Sequence, residues 1–288
     1  MASMKEINLR IKSITGTKQI TKAMELVAIS KLTKAMDRIT KCRPFYTELY
    51  AQLCDIAATS SAADTVYCIK RQVKRVCLIV IAGDRGLAGG YNNNLFKYTD
   101  ELIAKKSCEI AVLPIGRRSV EHFKRRNYRL ISEDFSVCED IEVGDCFEIS
   151  RLLTGMYVSG EFDEIHVVFT NFASMLSQEP GSLRLLPLAS QINVSDAKTK
   201  PEYKPFMLIE PSAGEVFASI VPDSLAGLIW GAVCEAHASE LAARRIAMEN
   251  ATDNAEEIIG ELRLKYNKAR KSSITQQITE IVSGSQVD

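Results

Sequence analysis

The sequence predicts an α/β plus coiled-coil fold, in which long antiparallel N- and C-terminal helices flank a small Rossmann-like α/β domain. Three observations predict it. All eight prolines lie between Pro44 and Pro222. Apolar residues recur every three or four positions in both terminal segments, and the segment between them alternates short continuous apolar runs with amphipathic ones.

At the start of the chain Ile7, Ile11, Ile14, Ile20, Met24, Val27, Leu32, Met36 and Ile39 form an apolar stripe through a lysine-rich helix. Gly16 weakens the helix locally. Pro44 does not stop it, because Phe45, Tyr46, Leu49, Leu53 and Ile56 keep the period, so a kink is expected near Cys42. The pattern dissolves in Ala57-Ala58-Thr59-Ser60-Ser61-Ala62, which sets a first segment at 1–60.

The middle, 74–190, is different in kind. Val76 to Ala82 is a continuous apolar run of the kind a buried parallel strand requires. A helix is expected over Leu95–Ala104, a strand over Ile110–Ile115, a helix over Val120–Arg126 and a short strand at Leu130–Ile131. Another helix is expected over Ser150–Val158, a strand over Glu164–Asn171, and an edge strand over Leu183–Pro187, since proline donates nothing to a ladder. Residues 191–211 read as a linker. The last segment, 212–288, is proline-free after Pro222, and from Leu225 through Ile281 its apolar residues hold helical spacing. A helix over Asp223–Ser283 would be about 60 residues, roughly 90 Å long, with Gly260 and Ser272-Ser273 as its weak points. Two such helices cannot leave their apolar stripes in water, so they are expected to wind on each other as an antiparallel coiled coil.

With 36 basic and 36 acidic residues, the chain carries no global field of the sort that marks a nucleic-acid binder. The charge is uneven, with a net of +7 over residues 1–43 and −3 over 223–288. Eight cysteines without a C-x-x-C pair, and three histidines, give no zinc spacing and fit a reduced compartment. The N-terminus lacks a secretory pattern, and no apolar run is expected to reach the roughly 20 residues that span a bilayer.

Asp84-Arg85-Gly86-Leu87-Ala88-Gly89-Gly90 sits between a strand and a helix, where nucleotide-binding folds hold phosphate. Its glycine spacing fits neither phosphate-loop fingerprint and Tyr91-Asn92-Asn93-Asn94 brings no lysine, so a structural turn is the favoured reading. His122, His166 and His237 are scattered, and no nucleophilic set or carboxylate dyad stands out. A nucleotide-dependent enzyme built on the α/β domain remains an alternative, marked by saturable ATP or NAD binding. A basic membrane or nucleic-acid adaptor is another, marked by binding that collapses with salt.

Lys5-Glu6-Ile7, Arg10-Ile11-Lys12-Ser13-Ile14, Ile20 to Ala28 and Ser30-Lys31-Leu32 resemble the opening helix of the ATP synthase gamma subunit family. Ser239-Glu240, Ala242 to Arg245, Ala251 to Ala255, Tyr266 to Arg270, Ile274-Thr275 and Thr279 to Gly284 resemble its closing helix, and Asp84-Arg85-Gly86-Leu87 with Gly89-Gly90, Asn92 and Asn94 resembles its central domain. The resemblance runs end to end, and the length and the absence of a chloroplast-type cysteine insertion match the bacterial type. It implies a non-catalytic shaft that couples ion-driven rotation of a c-subunit ring to the catalytic sites on beta subunits. The implied partners are the ATP synthase alpha and beta subunits, the epsilon subunit and the c-subunit ring, with no cofactor and no nucleic acid. The implied location is peripheral, at the cytoplasmic face of the cell membrane. The resemblance also implies that Met24, Arg244, Arg270 and Thr275 meet beta loops and that Glu210 lies near the c ring.

Overall fold

The computed structural model describes residues 4–57, 65–69, 71–106, 108–135, 137–188 and 212–285. A helix α1 (Met4–Ala57) is followed by β1 (Arg75–Ile81), α2 (Tyr91–Ala104), β2 (Glu109–Ile115), α3 (Arg117–Arg125), β3 (Arg129–Leu130), a one-turn 3-10 helix (Cys138–Asp140), α4 (Val143–Val158), β4 (Glu164–Phe172), β5 (Gln178–Leu186) and α5 (Ala213–Ser285). The linker expected at 191–211 lies outside the described residues.

The strands form one sheet in the order β3-β2-β1-β4-β5. β1 is parallel to β2 and β4, β2 is parallel to β3, and β5 closes the edge antiparallel to β4. The continuous apolar run of β1 follows from this central place, because both faces are covered by helices. Val76, Leu78 and Val80 pack with Leu95, Phe96 and Phe123 of α2 and α3. Cys77, Ile79 and Ile81 face the other way, into a core with Ile149, Leu153 and Tyr157 of α4 and Phe217, Val221, Leu225 and Ile229 of α5. Pro180 of β5 stands opposite Thr170 at the sheet edge, where a residue without an N–H leaves no ladder partner unmet on its outer side.

Several boundaries differ from expectation. α4 begins seven residues before Ser150, because Glu142 and Asp145 form a reciprocal capping box around its first turn. α5 begins ahead of Pro222 and carries it inside the helix, where the Pro222 carbonyl takes a hydrogen bond from Ser150 Oγ at 2.5 Å. α1 likewise runs on through Pro44. α5 also contains an 18-residue window of mean hydropathy 1.6, against the expectation of no bilayer-length apolar run. Half of that window is buried inside the protein, so core packing accounts for its composition.

The described cysteines are all free thiols. Burial pushes Cys146 and Cys234 up to about 12, which keeps them protonated and inert. The chain packs as two compact units, Met1–Ser30 with Arg244–Asp288 and Lys31–Ala243.

Two predictions follow from the second unit. Gly116 has φ +90°, and a Cβ there would stand 2.1 Å from the Ala82 carbonyl oxygen. Gly116→Ala is expected to lower folding stability by about 3 kcal/mol in a urea titration; an unchanged midpoint would contradict the close approach. His122, His166 and His237 are all held below the ordinary 6.5, chiefly by burial, so the folded state keeps them neutral while the unfolded chain takes up protons. Their contribution to stability is therefore present above pH 6.5 and is lost as pH falls below it, and the urea midpoint should drop between pH 7 and pH 5.

Candidate functional site in the paired termini

The first unit consists of the start of α1 and the end of α5. Thr21 and Thr252 meet hydroxyl to hydroxyl at 2.8 Å in the buried seam, and Lys18 pairs with Glu256 at 3.0 Å, one turn along each helix in opposite directions. The helices are therefore antiparallel here. Around the threonines the seam is closed by Ala28, Met248, Ala255, Ile259 and Leu262, all nearly inaccessible. Each threonine also reaches its own helix, Thr21 to the Lys18 carbonyl and Thr252 to the Met248 carbonyl, so no hydroxyl is stranded. Glu25 is buried but takes two hydrogen bonds from Lys22 Nζ at 2.9 and 3.0 Å. That contact is the largest cause raising the Lys22 pKa.

The outer face of this unit is not an ordinary polar surface. Leu9, Ile20, Leu26 and Val27 on α1, and Ile258, Leu264, Ile274, Ile278, Ile281 and Val282 on α5, are all exposed. The register set by Thr21–Thr252 puts Met4 opposite the Ala269–Arg270 turn. Residues from Lys271 to Ser285 thus run roughly 22 Å beyond the described start of α1. Between Arg263 and Lys271 five basic residues occur with no acidic one, and although Lys265 pairs with Glu261 at 3.6 Å, the segment is a positive collar at the base of this extension.

In the second unit, the Asp84 to Gly90 segment folds as a turn tied to its own framework. Asp84 Oδ1 accepts the N–H groups of Arg117 at 3.1 Å and Cys138 at 2.9 Å, and Oδ2 accepts that of Glu139 at 3.0 Å. The Asp84 carboxylate thus takes up the first N–H of α3 and two N–H groups of the 3-10 helix, backbone donors that a bound anion would otherwise use. The Gly83 N–H donates to Asn92 Oδ1 at 2.9 Å, and positive φ angles at Leu87 and Gly89 close the turn. The crevice beside it, about 310 Å³ and lined by Asn92, Asn93, Arg118 and Arg125 among others, has Arg118 bound to Glu121 at 3.0 Å.

A family model described as ATP synthase matches residues 3–287. The ATP synthase gamma chain of Ruminococcus albus is 41% identical across 99% of this chain and 98% of its own length. The chain belongs to the family of ATP synthase gamma chains. A gamma chain from Acetobacterium woodii, described as sodium ion specific, is 36% identical over 99% of this chain and 98% of its own. Among solved structures, a chain of the Euglena gracilis mitochondrial ATP synthase aligns with a TM-score of 0.66 at 18% identity, covering 99% of this chain and 94% of that one, a likeness of fold.

Of the positions that gamma-chain membership brings forward, Met24 and Arg244 are half-buried at the inner end of the paired region, while Arg270 and Thr275 are exposed near its outer end. Arg244 and Arg270 are separated by roughly 39 Å of helix. At that separation they do not form a pocket. Thr275 Oγ1 bonds back to the Lys271 carbonyl at 2.9 Å. Glu210 lies outside the described residues. The Thr21–Thr252 pair was not foreseen, although Thr252 falls on the same stripe as Met248, Ala255 and Ile259, a polar residue at a core position.

Replacing one of the paired threonines by valine removes the hydrogen bond between them and sets a methyl group against the other's hydroxyl, and the single variants Thr21→Val and Thr252→Val are each expected to lose about 1 kcal/mol, with the double variant losing less than the sum. Thermal unfolding of the full chain in a double-mutant cycle checks this; strictly additive losses would show that the hydroxyls do not interact.

Proposed function

We propose that this chain is the central rotating shaft of a bacterial F-type ATP synthase, coupling ion-driven rotation of a c-subunit ring to conformational change at catalytic beta subunits. The observation that carries the reading is the paired-helix unit, which keeps a dry internal seam yet leaves ten large apolar residues and a basic collar uncovered. An apolar surface of that extent needs a sleeve, and a ring of alpha and beta subunits supplies one. A basic surface within an acidic bearing is held by long-range attraction without fixed partners, which suits an element that must turn.

In this reading Met24, Arg244, Arg270 and Thr275 meet beta-subunit loops at successive heights, and Glu210 lies toward the c ring. The epsilon subunit joins the chain at that end. The chain performs no chemistry and holds no cofactor. It is peripheral to the membrane through the complex, at the cytoplasmic face, and the coupling ion is a proton or a sodium ion. The alternative, a nucleotide-dependent enzyme, is disfavoured because Asp84 puts a carboxylate in the turn itself and takes up the nearby backbone N–H groups of Arg117, Cys138 and Glu139.

Mixing the full chain with purified alpha and beta subunits tests the proposal. One copy should join each ring of three alpha and three beta subunits, and ATP turnover should rise. A ring that is active but neither binds the chain nor responds to it would overturn the reading, and saturable binding of ATP to the chain alone would favour the enzyme. Deleting the residues after Lys271 should weaken incorporation while the α/β unit keeps its fold, as read by circular dichroism and the stoichiometry of the isolated complex.

A further inference from the structure

Within the second unit, α5 passes the ends of strands β1 and β4 at a turn of which every residue but the partly buried His237 is buried. Ala236, Ala238 and Ser239 are fully inaccessible, and Glu240, Leu241 and Ala242 nearly so. Small side chains there allow close approach, but alanine packing is non-directional and by itself would let the helix rotate or slip against the sheet. Two hydrogen bonds and one close steric fit prevent this. Tyr91 Oη, from the first residue of α2, donates to the Ala236 carbonyl at 2.9 Å. Ser239 Oγ donates to the Thr170 carbonyl of β4 at 3.1 Å, opposite Pro180, which has no N–H to give. The Glu240 carboxyl fills the space over Gly83, where a Cβ would stand 2.6 Å from its Cδ and 2.7 Å from Oε1.

We propose that the Ala236–Glu240 turn is the torque-bearing joint of the chain, and that Tyr91, Ser239 and Gly83 are positioning residues that fix the rotational phase of α5 against the sheet. The inference rests on the shaft reading. Successive helix residues are about 100° apart, so contacts at 236, 239 and 240 span about 100° of the circumference. Contacts spread over an arc resist twist, where a single contact would act as a pivot. Each anchor also belongs to a different part of the α/β unit: the start of α2, strand β4 and the loop after β1. The loop is itself braced, since the Gly83 N–H is held by Asn92 and the Gly83 carbonyl accepts the Arg118 N–H at 3.2 Å. Load entering through the sheet would therefore reach α5 through three rigid elements at one height.

The test uses the whole ATP synthase carrying this chain, reconstituted in lipid vesicles, with ions pumped per ATP measured against a rising opposing gradient. Tyr91→Phe with Ser239→Ala removes two hydroxyls and adds no bulk. The double variant should assemble and hydrolyse ATP without load at close to the parent rate. Its ions per ATP should fall at least about two-fold as the gradient rises, because the lost hydrogen bonds matter only under twist. Gly83→Ala, which displaces Glu240, should do the same in whatever complex assembles. Parental ion ratios for both variants at every gradient would overturn the joint and leave these contacts a merely structural role. A parent complex that hydrolyses ATP without pumping would instead count against the shaft reading itself.

Discussion

The packing of α5 between Phe217 and Ala242 is the constraint on which the second unit depends. Its larger residues, Phe217, Val221, Leu225, Ile229 and Val233, cover one face of the sheet. Its smaller ones, Ala238 and Ala242 with Leu241, close against Leu32, Ala35 and Ile39 of α1. Burial of those five larger side chains alone is worth on the order of 10 kcal/mol. One helix thus completes two cores, and that double duty explains an apolar window that would otherwise read as a membrane span. Gly227 and Gly231 belong to the same constraint, since a Cβ at Gly231 would stand 2.8 Å from the Tyr46 ring of α1.

The paired termini follow different physics. Their seam is narrow, with threonine hydroxyls where a coiled coil would place leucine, and much of their apolar surface faces outward. Such a unit is finished only by what surrounds it. The ATP synthase gamma-chain family supplies the context in which an unfinished surface is an advantage, because a bearing needs contact without interlocking.

Much of this was legible in the sequence, for reasons that can be named. β1 was clear because a strand covered on both faces must be continuously apolar, and both terminal helices were clear because their periodicity spans many turns. Helix starts were harder. α4 starts ahead of the expected Ser150 because its cap is a Glu142–Asp145 pair instead of serine or threonine, and α5 starts ahead of the expected Asp223 because Pro222 reads as a stop although its carbonyl finds Ser150 and the helix continues. The resemblance named contact positions and helix rise puts Arg244 and Arg270 at different heights, but no spacing rule could show the Thr21–Thr252 pairing that sets the register of the two helices. Nor could it show that Asp84 fills its own loop, a contact between residues as far apart in the chain as Asp84 and Glu139.

The most direct test of the shaft reading is observation of single complexes, with alpha and beta subunits fixed to a surface and a visible probe attached to the α/β unit of this chain. With ATP present, the probe should turn in one direction in steps of a third of a revolution. A ring that hydrolyses ATP while the probe only fluctuates about one angle would contradict the shaft.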